Sequence, residues 1–206
     1  MLAILLAYLI GSIPTALILG KLMYGVDIRE HGSNNPGATN TLRVMGKKAA
    51  LFVLAVDAGK GALAASLPAF IPTGIDPLYL GMVAVLGHCF PIFAGFRGGK
   101  AIATTAGALL MANVPMFLIA YLSFIFITYV TKYVFFGSIS VGLSLLVFSL
   151  IFPTAGNSLL FGCFTLFLIY LHRSNIRNLI LGIEPKINDK NIKKDRIPPG
   201  GSYPFS

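Results

Sequence analysis

Charged side chains are scarce in this sequence: 11% of its 206 residues are charged, against 56% hydrophobic residues and a mean hydropathy of +0.81. So few charges cannot solvate the surface of an ordinary water-soluble protein of this size, which points to a bilayer as the solvent. Cysteine is nearly absent as well. Cys89 and Cys163 both sit in apolar runs, where packed thiols are expected rather than a disulfide or a metal pair, and neither a metal nor a cofactor is expected. No Lys or Arg precedes the apolar run that begins at Leu2, and no clear small-residue cleavage site follows it. The first span is therefore expected to be retained rather than removed as a signal peptide.

What is present is a series of apolar stretches, at residues 2–22, 49–70, 77–96, 101–114, 116–131, 138–152 and 157–171. A spanning helix needs about 20 residues, so a chain of this length is mostly membrane, with one domain and short loops. The fourth stretch is short, and Pro115 separates it from the fifth. The basic residues choose between five spans and seven. Arg29, Arg43, Lys47 and Lys48 lie between the first two stretches, Arg97 and Lys100 between the third and fourth, Lys132 after the fifth, and Arg173 and Arg177 after the seventh. Loops rich in Lys and Arg stay cytoplasmic, and only seven spans put all of these on one face. The expected fold class is thus an all-α integral membrane protein with seven transmembrane helices, the N-terminus outside and the C-terminus cytoplasmic.

The net charge of +9 would suggest nucleic acid in a soluble protein, but its position argues otherwise. Residues 185–206 hold Lys186, Lys190, Lys193, Lys194 and Arg196 against Asp189 and Asp195, so +3 belongs to this tail and +6 to the rest. The tail is expected to be a basic, disordered cytoplasmic segment following a membrane domain at 1–184. No nucleic-acid partner is expected. Membrane lipid is.

Three polar constellations fall on the predicted cytoplasmic face. The first is the run 32–43, in which Gly32, Ser33, Asn35, Gly37, Thr39, Asn40 and Arg43 combine small residues, hydroxyls and amides with a permanent cation. Such a loop can wrap a phosphate with backbone N–H groups while side chains add directed bonds; the plainer reading is a capped turn. The second is 87–100, with His88, Gly98, Gly99 and Lys100. It lacks the GxxxxGK[ST] spacing of a Walker loop. His88 is expected to make a structural hydrogen bond in the bundle interior, and Lys100 either neutralises an oxyanion or anchors the span at the interface. The third is 172–184, where His172 and Asn175 are three apart and share a helical face, with Glu184 beyond. Asp57 and Lys60, an acid and a base inside an apolar stretch, require a pair or a polar bundle site. Ser138 is expected to cap the sixth span or to bind a ligand at that helix N-terminus.

Taken together, these runs resemble the PlsY family, the bacterial acyl-phosphate-dependent glycerol 3-phosphate acyltransferases, over nearly all of residues 1–184. The resemblance rests on Gly11-Ser12-Ile13-Pro14, the GSxNxGATNxxR-like loop at 32–43, Asp57 and Lys60, GHxFPxF at 87–93, FRGGK at 96–100, and HRxNI with Gly182 and Glu184. It implies transfer of a fatty acyl group from acyl phosphate to the 1-hydroxyl of glycerol 3-phosphate, giving lysophosphatidate and inorganic phosphate, in a bacterial plasma membrane with the site at the cytoplasmic face. Carried over, the catalytic set is Ser33, Arg43, Lys100, His172 and Asn175. The substrate-binding set is Gly32, Asn35, Gly37, Thr39, Asn40, Gly98, Gly99, Thr104 and Ser138, with Asp57, Lys60, His88 and Glu184 in support. The sequence departs from the family pattern at Asn34 and Ala101, where Gly is usual, at Pro36, where the residue varies, at Leu171, where Arg is usual, and at Asn178, where a basic residue is usual.

The HxxxxD dyad of many glycerolipid acyltransferases is missing, since Pro36, Phe93 and Arg177 stand at the aspartate position after His31, His88 and His172. An acyl phosphate carries a good leaving group, so positioning and charge stabilisation can supply most of the rate. The competing class is a transporter or channel for phosphate or an organic phosphate. That reading calls for polar groups at the midplane and on the outer face, whereas here they gather on one face.

Overall fold

A computed structural model describes residues 1–153 and 157–189. Residues 190–206, most of the expected basic tail, lie outside the described residues. Among the described residues the secondary structure is helical throughout: α1 (Leu2–Gly11), α2 (Thr15–Tyr24), α3 (Ala38–Val44), α4 (Lys47–Ala65), α5 (Pro77–Cys89), α6 (Ile102–Ala112), α7 (Val114–Thr131), α8 (Val134–Ile151), α9 (Ser158–Leu171) and α10 (Arg173–Ile180), with short 3-10 turns between some of them.

Two of these helices lie where a single span and a loop were expected. The first apolar stretch is divided at 12–14 because Pro14 has no N–H to continue the ladder and forces Ile13 away from helical geometry. The polar segment 26–48 contains α3, which starts after Gly37 and ends at Val44. The fourth and fifth stretches are separate helices. Asn113 caps α7 by accepting from the Met116 N–H (3.0 Å), and Pro115 sits in that first turn.

Among the described residues, four segments are long and apolar enough to cross a membrane: Leu2–Tyr24, Pro77–Ala94, Val114–Thr131 and Val134–Ile151. Ser158–Leu171 with Arg173–Ile180, bent by 51°, makes a fifth when the pair is counted as one span. α4 has the length, at 19 residues, but carries Lys47, Lys48, Asp57 and Lys60, and α6 has only 11 residues.

The contacts gather into two units, Met1–Ala112 and Asn113–Lys190. In the first, α4 packs against α6, α5 and α1, and α1 against α5. Lipid tails give helices no hydrophobic reason to associate, so close backbone approach through small residues must supply the contact. A Cβ on Gly61 would run into the Thr104 carbonyl, and one on Gly107 into the Ala58 carbonyl, which fixes α4 against α6. Gly11 against Ala84 and Gly87 against Tyr8 do the same for α1 and α5. In the second unit α8 packs between α7 and α9. There Ser123 of α7 meets the hydroxyls of Ser140 and Ser144 of α8 at 3.3 and 3.2 Å, and Gly142 lets α8 approach Thr165 of α9. Residues just past α10 are tied to this unit, since the Ile187 N–H donates to the Lys132 carbonyl (2.9 Å).

Candidate functional site

In the first unit the run 26–43 is an internally braced structure. Asp27 accepts from the Arg29 backbone N–H (3.0 Å) and from Arg29 Nε (2.9 Å) and Nη2 (2.6 Å). These bonds, above all the one to the guanidinium, hold the Asp27 carboxyl down at about 2, well below its usual 3.8. The remaining arm of Arg29, Nη1, donates to the Ala94 carbonyl (2.9 Å) and so ties this run to the turn that leads into Phe96–Lys100. Sequence reasoning counted Arg29 only as a topology charge. An acid two residues from a base in a polar loop was the available signal.

Asn40 is buried, and all of its hydrogen-bonding groups face the loop. Its Oδ1 accepts from the Ser33 N–H (2.8 Å), and its Nδ2 donates to the carbonyls of His31 (2.9 Å) and Ile28 (3.3 Å). Gly32 passes so close that a Cβ there would strike Asn40 Oδ1. Gly37 forms the entry to α3, its carbonyl accepting from the N–H and the hydroxyl of Thr41 (both 3.0 Å). Asn40 and Gly32 therefore shape the loop, while the Ser33 side chain is exposed and Thr39 and Arg43 on α3 are partly exposed.

The glycines of the second constellation are likewise committed. The Gly98 N–H donates to the Cys89 carbonyl and the Gly99 N–H to the His88 carbonyl (both 3.1 Å), so the loop folds back onto the end of α5. Their N–H groups thus satisfy helix-terminal carbonyls. Lys100, half-buried, follows directly. Thr104 is fully buried on α6, its Oγ1 without a hydrogen-bond partner among the described residues. Beneath lies the expected ion pair: Lys60 Nζ is 2.9 Å from Asp57 Oδ1, and both side chains are buried.

The second unit holds the third constellation. His172 closes α9 and opens α10. Its Nδ1 is 3.1 Å from Asn175 Oδ1, and Asn175 Nδ2 donates to Glu184 Oε1 (2.7 Å). The carboxylate can only accept, which turns the amide nitrogen toward Glu184 and the amide oxygen toward the imidazole. His172 Nδ1 must then be the donor. In neutral His172 this tautomer leaves the lone pair on Nε2. Glu184 reaches Asn175 because Gly182, at φ +71°, reverses the chain after α10, and the N–H groups of Ile183 and Glu184 close on the Asn178 carbonyl. Ser138 does not cap its helix. α8 starts at Val134, which places Ser138 one turn inside, buried, with its hydroxyl donating to the Val134 carbonyl (3.1 Å).

Comparison with known proteins identifies the context of these arrangements. The family model described as glycerol-3-phosphate acyltransferase matches residues 1–182. The chain belongs to the glycerol-3-phosphate acyltransferase family. It is 47% identical over 186 residues to the glycerol-3-phosphate acyltransferase of Bacillus subtilis (strain 168), covering 90% of this chain and 96% of that one. The corresponding enzyme of Geobacillus kaustophilus (strain HTA426) is 44% identical over 190 residues, 90% and 95% of the two chains. The crystal structure of PlsY, an integral membrane glycerol 3-phosphate acyltransferase, in its glycerol 3-phosphate form superposes with a TM-score of 0.81 at 34% identity, over 90% of this chain and 94% of that one. The lysophosphatidic acid form gives 0.77 at the same identity. The protein is thus an acyltransferase of the PlsY type and a multi-pass membrane protein. Two positions where the sequence resemblance implied Gly acquire a physical meaning: Asn34 and Ala101 have φ of +57° and +74°. Asn tolerates that region through its short polar side chain, whereas Ala does not.

Proposed function

We propose that this protein transfers a fatty acyl group from acyl phosphate to the 1-hydroxyl of sn-glycerol 3-phosphate, giving lysophosphatidic acid and inorganic phosphate, the first acylation step of phospholipid synthesis. The observation that carries the reading is the likeness, over nine-tenths of the chain, to one acyltransferase fold solved with the acceptor and with the product. The hydroxyl oxygen attacks the acyl carbonyl carbon, the ester C–O bond forms, and the carbonyl–phosphate C–O bond breaks. The hydroxyl proton ends on the departing phosphate, and in the second unit His172 Nε2, whose lone pair the Asn175–Glu184 relay directs, is a base able to carry a proton. In the first unit Lys100, Arg43 and Ser33 hold phosphate oxygens, with Thr39 beside them and Asn35, Gly37 and Asn40 shaping the loop. In the second, Asn175 and Ser138 support the His172 side. Because the leaving group is good, charge stabilisation and positioning carry most of the rate.

We read α1 with α2, α4, α5, α6, α7, α8 and α9 as seven spans in a bacterial plasma membrane, N-terminus outside, with the polar runs at the cytoplasmic face. The distribution of Lys and Arg supports this orientation. The deciding assay gives purified protein in detergent glycerol 3-phosphate with acyl phosphate, acyl-CoA or acyl carrier protein. Lysophosphatidic acid from acyl phosphate is expected, and product from a thioester alone would overturn the donor. A Lys100→Ala protein that folds yet keeps full activity would overturn the phosphate-holding role.

A further inference from the structure

The proposed chemistry makes no direct use of the buried polar group formed by Asp57, Lys60, Thr15 and His88. Its hub is Asp57 Oδ1, which accepts from Lys60 Nζ (2.9 Å) and from Thr15 Oγ1 (3.0 Å) and faces His88 Nδ1 at 3.7 Å. Lys60 Nζ also donates to the Ile13 carbonyl (2.9 Å), a backbone group released by the break at Pro14. The four residues come from α2, α4 and α5, and they are 2% to 7% exposed. A charge pair sealed this deep is costly, and a chain needing only helix packing could use apolar residues of the same volume instead.

The far side of the group is where it meets the phosphate-holding loop. The His88 ring lies directly under Gly99, so close that a Cβ on Gly99 would run into His88 Nε2, and the Gly99 N–H donates to the His88 carbonyl (3.1 Å). Gly99 is followed by Lys100. The path from the Asp57 carboxylate to the Lys100 backbone therefore runs through one imidazole and one glycine. The Asp57 carboxylate faces the imidazole at 3.7 Å, and the ring fills the space beneath Gly99.

We infer that Asp57 and His88 are positioning residues for Lys100, the pair Asp57–Lys60 and Thr15 acting as the anchor and the His88 ring as the spacer beneath Gly99. This rests on the reading of Lys100 as a phosphate ligand. Displacing a charge by about 1 Å costs about a hundredfold in rate, so Asp57→Asn and His88→Gln are each expected to lower kcat/KM by up to about that factor. The loss should divide between KM and kcat in the same way as the loss in Lys100→Ala.

The test is a double-mutant cycle on the full-length protein in detergent, with melting temperature followed in parallel. If Asp57 acts through Lys100, the double variant Asp57→Asn with Lys100→Ala is no slower than Lys100→Ala alone. Losses that multiply, with a KM-to-kcat pattern unlike that of Lys100→Ala, would make the group a structural support only and overturn the inference. Should Asp57→Asn fail to fold, the His88→Gln cycle, in which the buried ion pair stays intact, decides on the same criteria. Full activity in Lys100→Ala would mark failure of the phosphate reading itself. That outcome is distinct from additive losses on a damaged Lys100→Ala background.

Discussion

Replacing Asn40 separates a residue that shapes the loop from one that touches substrate. Asn40→Ala removes three hydrogen bonds, from the Ser33 N–H and to the His31 and Ile28 carbonyls. At about 1 kcal/mol net for each, the braced loop loses about 3 kcal/mol relative to an open one. Ile28 is fully buried, so water does not readily replace the third bond. Three kcal/mol is about a hundredfold in the equilibrium between closed and open loop, and kcat/KM is expected to fall by up to that factor while residues 28–40 become more sensitive to protease. Asn40→Asp is the sharper probe. It keeps an acceptor for Ser33 but turns a carboxylate oxygen toward two carbonyl oxygens, so it should be at least as harmful as Ala. Acyl-transfer rates and limited proteolysis on both variants decide the matter. Near-normal kcat/KM in Asn40→Asp would refute the bracing role, and lost activity without increased proteolysis would point to direct contact with substrate.

Glu184→Ala should lower kcat by about tenfold or more by releasing the Asn175 amide and with it the His172 tautomer, whereas Glu184→Gln, which still offers an acceptor, should keep most of the activity; steady-state kinetics distinguish the two. Ala101→Gly should raise the melting temperature, since a left-handed residue other than glycine costs about 1 kcal/mol; no change in a thermal scan would mean that the strain is relieved elsewhere. The Asp27 carboxyl is held at about 2 against a usual 3.8. A depressed carboxylate stabilises the fold fully above its usual value and loses that contribution as pH falls toward 2. Protease resistance of residues 26–37 should accordingly decline between about pH 4 and pH 2, and Asp27→Asn should remove that dependence.

Helix existence was legible because a bilayer demands long apolar runs and fixes their length, and each of the seven stretches contains helix among the described residues. The break at 12–14 was not, because hydropathy averages over a window and takes no account of a missing N–H, although Pro14 stood in plain view. α3 escaped for the opposite reason: a seven-residue helix of Ala, Thr, Asn, Leu, Arg and Val has no long apolar face, and its place is set by the Asn40 and Thr41 bonds to the preceding loop. The start of α8 came out four residues earlier than the apolar stretch suggested. Val134 and the aromatic pair Phe135–Phe136 form the first turn of the helix, ahead of Gly137-Ser138, which resembles a cap.

For the site, residue types were more legible than their roles. A run of Gly, Ser, Asn and Arg reads as a phosphate cradle because backbone N–H groups and hydroxyls are what such cradles are made of, yet the same residues also build tight turns. The hydrogen bonds divide the two uses. Gly98 and Gly99 give their N–H groups to α5, and Asn40 gives its whole amide to the loop. What remains is side-chain chemistry: exposed Ser33 and the cationic side chains of Arg43 and Lys100, both partly buried. Anion binding in the first unit should then depend on charge far more than on backbone amides. Raising the ionic strength should weaken acceptor binding, because partly exposed cations are screened, and Lys100→Arg should retain more activity than Lys100→Gln. A KM for glycerol 3-phosphate indifferent to salt, with Lys100→Gln as active as Lys100→Arg, would return the phosphate to the backbone.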